Sequence, residues 1–100
     1  MTMKINVVPY DKYQQEAKDI IVQAVLAERD RQDEKWGRDF QGRNHAFWLA
    51  ILMEEIGEAA RAYLEHDRGK LREELIQSAA VIFSWLEFFD DATELTDVRV

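Results

Sequence analysis

Apolar residues recur at helical spacing in three stretches of this chain, and two breaks separate them. In the first, Ile20, Ile21, Ala24, Val25 and Ala27 form a stripe with the 3.6-residue period of an amphipathic helix. Asp11 followed by Gln14 resembles a capping box, so the first helix is expected to start there and run to about Trp36. Gly37 ends it, and Gly37 to Asn44, with Gly42 inside, reads as a loop of the kind that often closes over ligands. Asn44 is placed to cap a second helix from His45 to about His66. The first half of that helix, Ala46 to Met53, is apolar on every side and is therefore expected to be buried all round. A turn His66-Asp67-Arg68-Gly69 leads into a third helix from Lys70 to about Phe89, whose apolar residues again cover more than one face. Residues 1–10 are β-leaning, and Pro9 keeps them out of the first helix, so they read as an extended arm. The stretch from Asp90 is acidic and aperiodic, and reads as a fraying tail. The expected fold is all-α, a single domain of 100 residues built as an antiparallel bundle of three helices. Three helices cannot hide this much apolar surface, so a homo-oligomer, dimer or tetramer, is expected to complete the core.

Charge narrows the range of partners. A net charge of −7 argues against a nucleic-acid polymer, whose phosphates demand a basic surface. Small anions are not excluded, because Arg29, Arg31, Lys35, Arg38 and Arg43 cluster in one stretch while most carboxylates follow the midpoint. The chain has no cysteine, which removes disulfides and thiolate metal sites and fits a reducing compartment. The first residues lack an apolar core with a cleavage site, and no apolar run approaches the ~18 residues of a membrane span. A cytoplasmic protein without a membrane partner is expected.

Candidate chemistry sits on either side of the second turn. Glu55 and Glu58 lie three apart and share a helix face, as do Glu74 and Gln77 on the next helix. Measured from a turn centred near Asp67, Glu58 and Gln77 both lie about 14 Å along their helices. Helices folded back on each other would bring all four side chains around one point. Three carboxylates and an amide oxygen are hard ligands that suit Mg²⁺ or Mn²⁺, and Mg²⁺ held in this way commonly takes phosphates as further ligands. Most Glu-x-x-Glu pairs are only solvated helix charge. Here the first pair lies among apolar and small residues, where unpaired charge is costly. Gly57 beside it costs ~1 kcal/mol in a helix relative to Ala, which suggests close approach by a backbone or ligand. A ferritin-like di-iron centre requires Glu-x-x-His on facing helices, and that motif is absent. His45 and His66 fall at helix ends as capping or surface residues, and Ser78 and Ser84 lie on apolar faces.

Together these residues resemble the MazG-like, all-α nucleoside triphosphate pyrophosphohydrolases, over most of the chain. That family carries Glu-x-x-Glu on one helix and Glu-x-x-Asp on the next. Glu55 and Glu58 match the first pair, and Glu74 matches the first member of the second. Gln77 departs from the pattern, standing where the family usually has Asp. Glu54 and Glu73, each beside a motif position, are the carboxylates that could compensate. The stretch Glu28 to Gly37 also resembles the segment before the acidic helix in small, often phage-borne members. The resemblance implies Mg²⁺-dependent hydrolysis of nucleoside triphosphates to monophosphate and pyrophosphate in nucleotide-pool control, with dGTP or dATP as first-choice substrates. It implies Glu55, Glu58 and Glu74 as catalytic residues, with Gln77 completing the metal site and Glu55 or Glu58 as general base. Lys35, Arg38 and Arg43 are candidates to hold phosphate, and Trp36, Asn44 and His45 to hold the base, with Trp48 second to Trp36 for stacking. The alternative is a catalytically weak, oligomeric protein that binds nucleotides or a partner.

Overall fold

The connection between the second and third apolar stretches decides which residues face each other. In a computed structural model, which describes residues 12–38 and 42–90, three helices form: α1, Lys12–Trp36; α2, His45–Leu64; and α3, Arg68–Phe89. No strand occurs among the described residues, so the fold is all-α. The expected arm, Asp11 of the capping box and residues 91–100 of the tail lie outside the described residues.

The α2–α3 turn is shorter than the sequence suggests. His66 takes a left-handed φ of 59°, its N–H bonds to Tyr63 O, and the next N–H, of Asp67, reaches back to Ala62 O at 2.9 Å. This is the Schellman arrangement that closes a helix, with His66 in the position glycine usually fills. Asp67 then caps α3, its carboxylate accepting from Lys70 N at 2.9 Å. Arg68 and Gly69, expected in the turn, are instead the first residues of α3. Residue preference favours the nearby glycine for the turn, but Asp67 supplies the cap and makes a glycine turn unnecessary.

That turn sets an antiparallel register centred on His66. Trp48 Nε1 donates to Ser84 Oγ at 3.2 Å, Glu55 faces Gln77 and Glu58 faces Glu74, each pair being equidistant from the turn. Asn44 caps α2 as expected, accepting from Phe47 N at 3.0 Å. At the far end of the hairpin, Trp48, Val81 and Phe88 form the core, with Phe47, Ile51, Leu52 and Trp85 packed around them. Trp48 and Phe88 lie with ring centroids 4.4 Å apart, at the short edge of the usual range for aromatic pairs.

α1 docks by polar contacts. Its only buried residues are Arg29 and Gln32, and it packs on α3 rather than α2. Arg29 bonds Asp33 at 2.9 Å and Glu87 at 2.7 Å. Burial works against its charge, but the two carboxylates outweigh this and raise its pKa above the ordinary arginine value. Gln32 reaches the Gln77 carbonyl at 3.4 Å. The expected core stripe of the first helix is not buried in the single chain: Ile20 is 63 % and Ile21 50 % exposed.

The first half of α2 is likewise not buried all round. Trp48 is enclosed, whereas Leu49 and Met53 are 49 % and 60 % exposed. One chain has too few packed layers to cover both sides of that helix. No helix among the described residues is long and apolar enough to cross a membrane.

Two stability effects follow. His66→Gly relieves the left-handed strain and should raise unfolding free energy by about 0.5–1 kcal/mol in urea titrations. Arg29→Ala strands Asp33 and Glu87 and should lower it by about 2–3 kcal/mol, with increased amide exchange in α1.

Candidate metal centre

Glu55 and Glu58 are carried by α2, and Glu74 and Gln77 by α3, so the register of the hairpin brings both pairs to one place. One carboxylate oxygen from each of Glu55, Glu58 and Glu74 lies within 4.8 Å of the others. Glu74 is buried, with 1 % exposure, Glu55 is half-buried, and Glu58 stands nearest solvent. Small side chains permit this closeness, since Ala59 and Ala62 on α2 and Ala80 on α3 are all buried. Ser78, one turn after Glu74, is buried too and donates to the Glu74 carbonyl at 2.8 Å.

Three carboxyl groups this close cannot all ionise freely. Burial first, and then the neighbouring Glu74, push the pKa of Glu55 up to about 7. The charge of Glu74, together with a hydrogen bond to it, raises Glu58 as well. Glu74 goes the other way. Burial opposes its ionisation, but hydrogen bonds from Lys70, Glu55 and Glu58 prevail and lower its pKa. Lys70 Nζ lies 3.0 Å from Glu74 Oε1, and this bond raises the lysine in turn. Ionisation of Glu55 is therefore delayed to about neutrality, while Glu74 keeps its charge beside the Lys70 ammonium group. A divalent cation would replace the shared proton.

The Gln77 amide extends the set to four. One of its polar atoms lies 2.7 Å from Glu55 Oε2 and 3.1 Å from Glu74 Oε2, and the other lies 3.5 Å from Glu73 Oε1. With NH₂ turned inward, the amide donates to both carboxylates. With Oε1 inward, four oxygens converge, an arrangement that a proton on Glu55 or a cation among them would satisfy. The amide can thus serve either state by a half-turn of its terminal torsion. All-oxygen donors with an acidic majority fit Mg²⁺ or Mn²⁺.

Gly57, between the two α2 glutamates, has open space where a Cβ would project. Among the described residues no other backbone approaches it, so the backbone half of the expectation is not met within the chain. Of the flanking carboxylates, Glu54 acts on Glu55 and Glu58 only through its charge, whereas Glu73 lies beside the Gln77 amide.

Other residues singled out from sequence are engaged elsewhere. Lys35 Nζ sits 5.5 Å from the Trp36 ring centre, and Arg38 pairs with Asp33 at 3.6 Å. Arg43 donates to Trp36 O at 2.8 Å and stacks over Phe47. Asn44 is the α2 cap. His45 Nδ1 accepts from Trp85 Nε1 at 2.9 Å, and its ring packs against Phe88 and Phe89. Trp36 and Trp48 line one small cavity of about 10 Å³, room for a water molecule and far too little for a nucleobase. None of these residues belongs to the carboxylate cluster.

Sequence reasoning misses Lys70, although its spacing four residues before Glu74 is the signal of a helical ion pair. It also misses Arg72, which lines two open clefts. One, of about 440 Å³, includes Gln77; the other, of about 790 Å³, surrounds the α2–α3 turn and includes Tyr63, His66 and Leu75.

Compared with family models, curated proteins and solved structures, the chain matches none.

The shared proton gives the site a pH signature. A carboxyl raised from 4.5 to about 7 contributes stability that is full below about pH 4.5 and lost as pH rises through 7. The metal-free protein should therefore lose part of its stability across that interval. The thermal stabilisation produced by Mg²⁺ should grow over the same interval, with proton release on binding. Melting curves from pH 4.5 to 8, with and without Mg²⁺, measure both effects, and Glu55→Gln should flatten the metal-free trend.

Proposed function

We propose that the chain is a metal-dependent nucleoside triphosphate pyrophosphohydrolase of the MazG-like kind, acting in the cytoplasm on nucleotide pools. The observation that carries this reading is the convergence of Glu55, Glu58 and Glu74 within 4.8 Å, with the Gln77 amide against two of them. Such a donor set is suited to Mg²⁺ or Mn²⁺, and an acidic site takes up a polyphosphate only through cations that stand between the two sets of negative charge.

A bound Mg²⁺ or Mn²⁺ supplies neutralisation of phosphate charge and a more acidic water. The chain's own groups do the rest. Glu74, buried and tied to Lys70, is a fixed anchor whose geometry does not depend on solvent. Glu55 or Glu58 accepts the proton of the attacking water. Its oxygen bonds to phosphorus, the bridge between the α and β phosphates breaks, and pyrophosphate leaves with the negative charge. Gln77 contributes an oxygen without a charge, so the site carries one negative charge fewer than the usual Glu-x-x-Asp and favours a lower metal count.

Exposed apolar surface supports the oligomeric part of the reading. Leu49, Met53, Ile56 and Leu64 form a heptad-like stripe on α2, and Leu75, Ile82, Leu86 and Phe89 form one on α3, all at least 43 % exposed. Against six buried apolar residues, sixteen large ones among the described residues stay exposed. A second copy, in a dimer or tetramer, would turn the hairpin into a helical bundle with a closed core.

The test is release of pyrophosphate and monophosphate from a panel of ribo- and deoxynucleoside triphosphates with Mg²⁺ or Mn²⁺, with dGTP and dATP first. Activity should require the metal and fall by about a hundredfold or more in Glu58→Ala. A folded, metal-binding protein that releases nothing from any substrate sinks the enzymatic reading in favour of nucleotide binding alone.

A further inference from the structure

Gln77 belongs to two places at once. Its amide touches the carboxylate cluster, and the same residue lines the 440 Å³ cleft formed by Glu28 and Arg31 on α1 and by Arg72, Glu73 and Ile76 on α3. A ligand held at the cluster can therefore continue into this cleft past Gln77. Arg31 of α1 and Arg72 of α3 both line it, and a guanidinium's planar fork matches the oxygens of a phosphate.

The two arginines differ in state. Arg31 makes a two-pronged pair with Glu28, at 2.6 and 2.8 Å, and its side chain is 53 % exposed. Glu55 and Glu73 also lie within reach of its charge. Arg72 is exposed and makes no hydrogen bond or ion pair among the described residues. Its link to the cluster is the cleft that it lines together with Gln77. Glu28 and Glu73 balance the two arginines, so the cleft has no net charge and should not attract a bare anion. An anion that arrives with a cation is different. The carboxylates at Glu55, Glu58 and Glu74 take the metal, and the arginines are left to face phosphate oxygens.

We propose that Arg31 and Arg72 form the phosphate clamp of the site, gripping the part of a metal-bound polyphosphate that extends beyond the carboxylate cluster. Arg72 supplies an unengaged guanidinium, and Arg31 shares or exchanges its Glu28 partner. The inference rests on the metal-centre reading and assigns the role to residues other than Lys35 and Arg38, which do not line this cleft. It also demands an order of binding, metal together with or before phosphate.

Calorimetric titration with inorganic pyrophosphate and with inorganic tripolyphosphate tests this without relying on catalysis. The wild type should bind both in the presence of Mg²⁺ and neither in its absence. Arg72→Ala and Arg31→Ala should each weaken binding by about tenfold or more, with Mg²⁺ affinity retained and Arg72→Lys intermediate. Both side chains are exposed, so the variants should fold, as circular dichroism will show. Unchanged polyphosphate affinity in Arg72→Ala, or binding by the wild type without metal, overturns the clamp. Nucleoside triphosphate turnover measured on the same proteins separates the two readings. If the wild type turns over and KM is unchanged in both variants, the enzyme stands and the clamp falls. If polyphosphate binding is lost in the variants while the wild type turns over nothing, the clamp stands and the enzymatic reading falls.

Discussion

Placing the carboxyl groups of Glu55, Glu58 and Glu74 together costs electrostatic free energy, and much of the surrounding structure offsets it. Two like charges about 5 Å apart repel by roughly 3–4 kcal/mol at an effective dielectric constant near 20. The cluster lessens that cost by delaying the ionisation of Glu55 to about neutrality, by setting Lys70 against Glu74, and by turning the Gln77 amide toward Glu55 and Glu74. Two of these devices are reversible, since the proton can leave as pH rises and the amide can turn about its terminal torsion.

Register makes this possible. A left-handed His66 and a capping Asp67 close the α2–α3 connection in very few residues, and the hairpin is then held at its far end by Trp48, Val81 and Phe88. With the turn at one end and the aromatic core at the other, the glutamates meet between two fixed points. This is the kind of support a metal site needs, because ligands on packed helices cannot drift with solvent. α1 contributes differently. It reaches the hairpin through Arg29 and Gln32, and the same length of helix carries Glu28 and Arg31 along the cleft that Gln77 shares. Polar docking orients a charged cleft without committing the apolar stripe of α1, which stays available for a larger assembly.

Much of the fold is legible in the residue pattern. Helical periodicity, Asn44 as a cap and Gly37 as a stop locate three helices to within a few residues. Glu55, Glu58 and Glu74 can be paired from spacing alone, because three-residue intervals and one turn suffice to predict a shared face. The turn differs from expectation at Gly69, since glycine is the commoner closing residue and nothing local marks His66 as left-handed. Lys35, Arg38, Trp36, Asn44 and His45 have suitable chemistry and lie near a loop, yet a cation beside a ring, an ion pair, a cap and an aromatic cluster engage them. Residue type reveals what a side chain can do, not which neighbour reaches it first.

The helices, the acidic pairs and the excess of apolar surface are all written in the order of residues, because they are properties of spacing along one chain. Contacts between helices set the rest. They assign Lys70 to Glu74, bring Arg31 and Arg72 to one cleft, raise the pKa of Glu55, and leave Ile20 and Ile21 uncovered while burying Arg29. The physical reason is that these outcomes depend on distances between helices and on competition for partners. Charge and hydrogen bonding vary steeply over a few ångströms, whereas periodicity fixes only the face on which a residue lies.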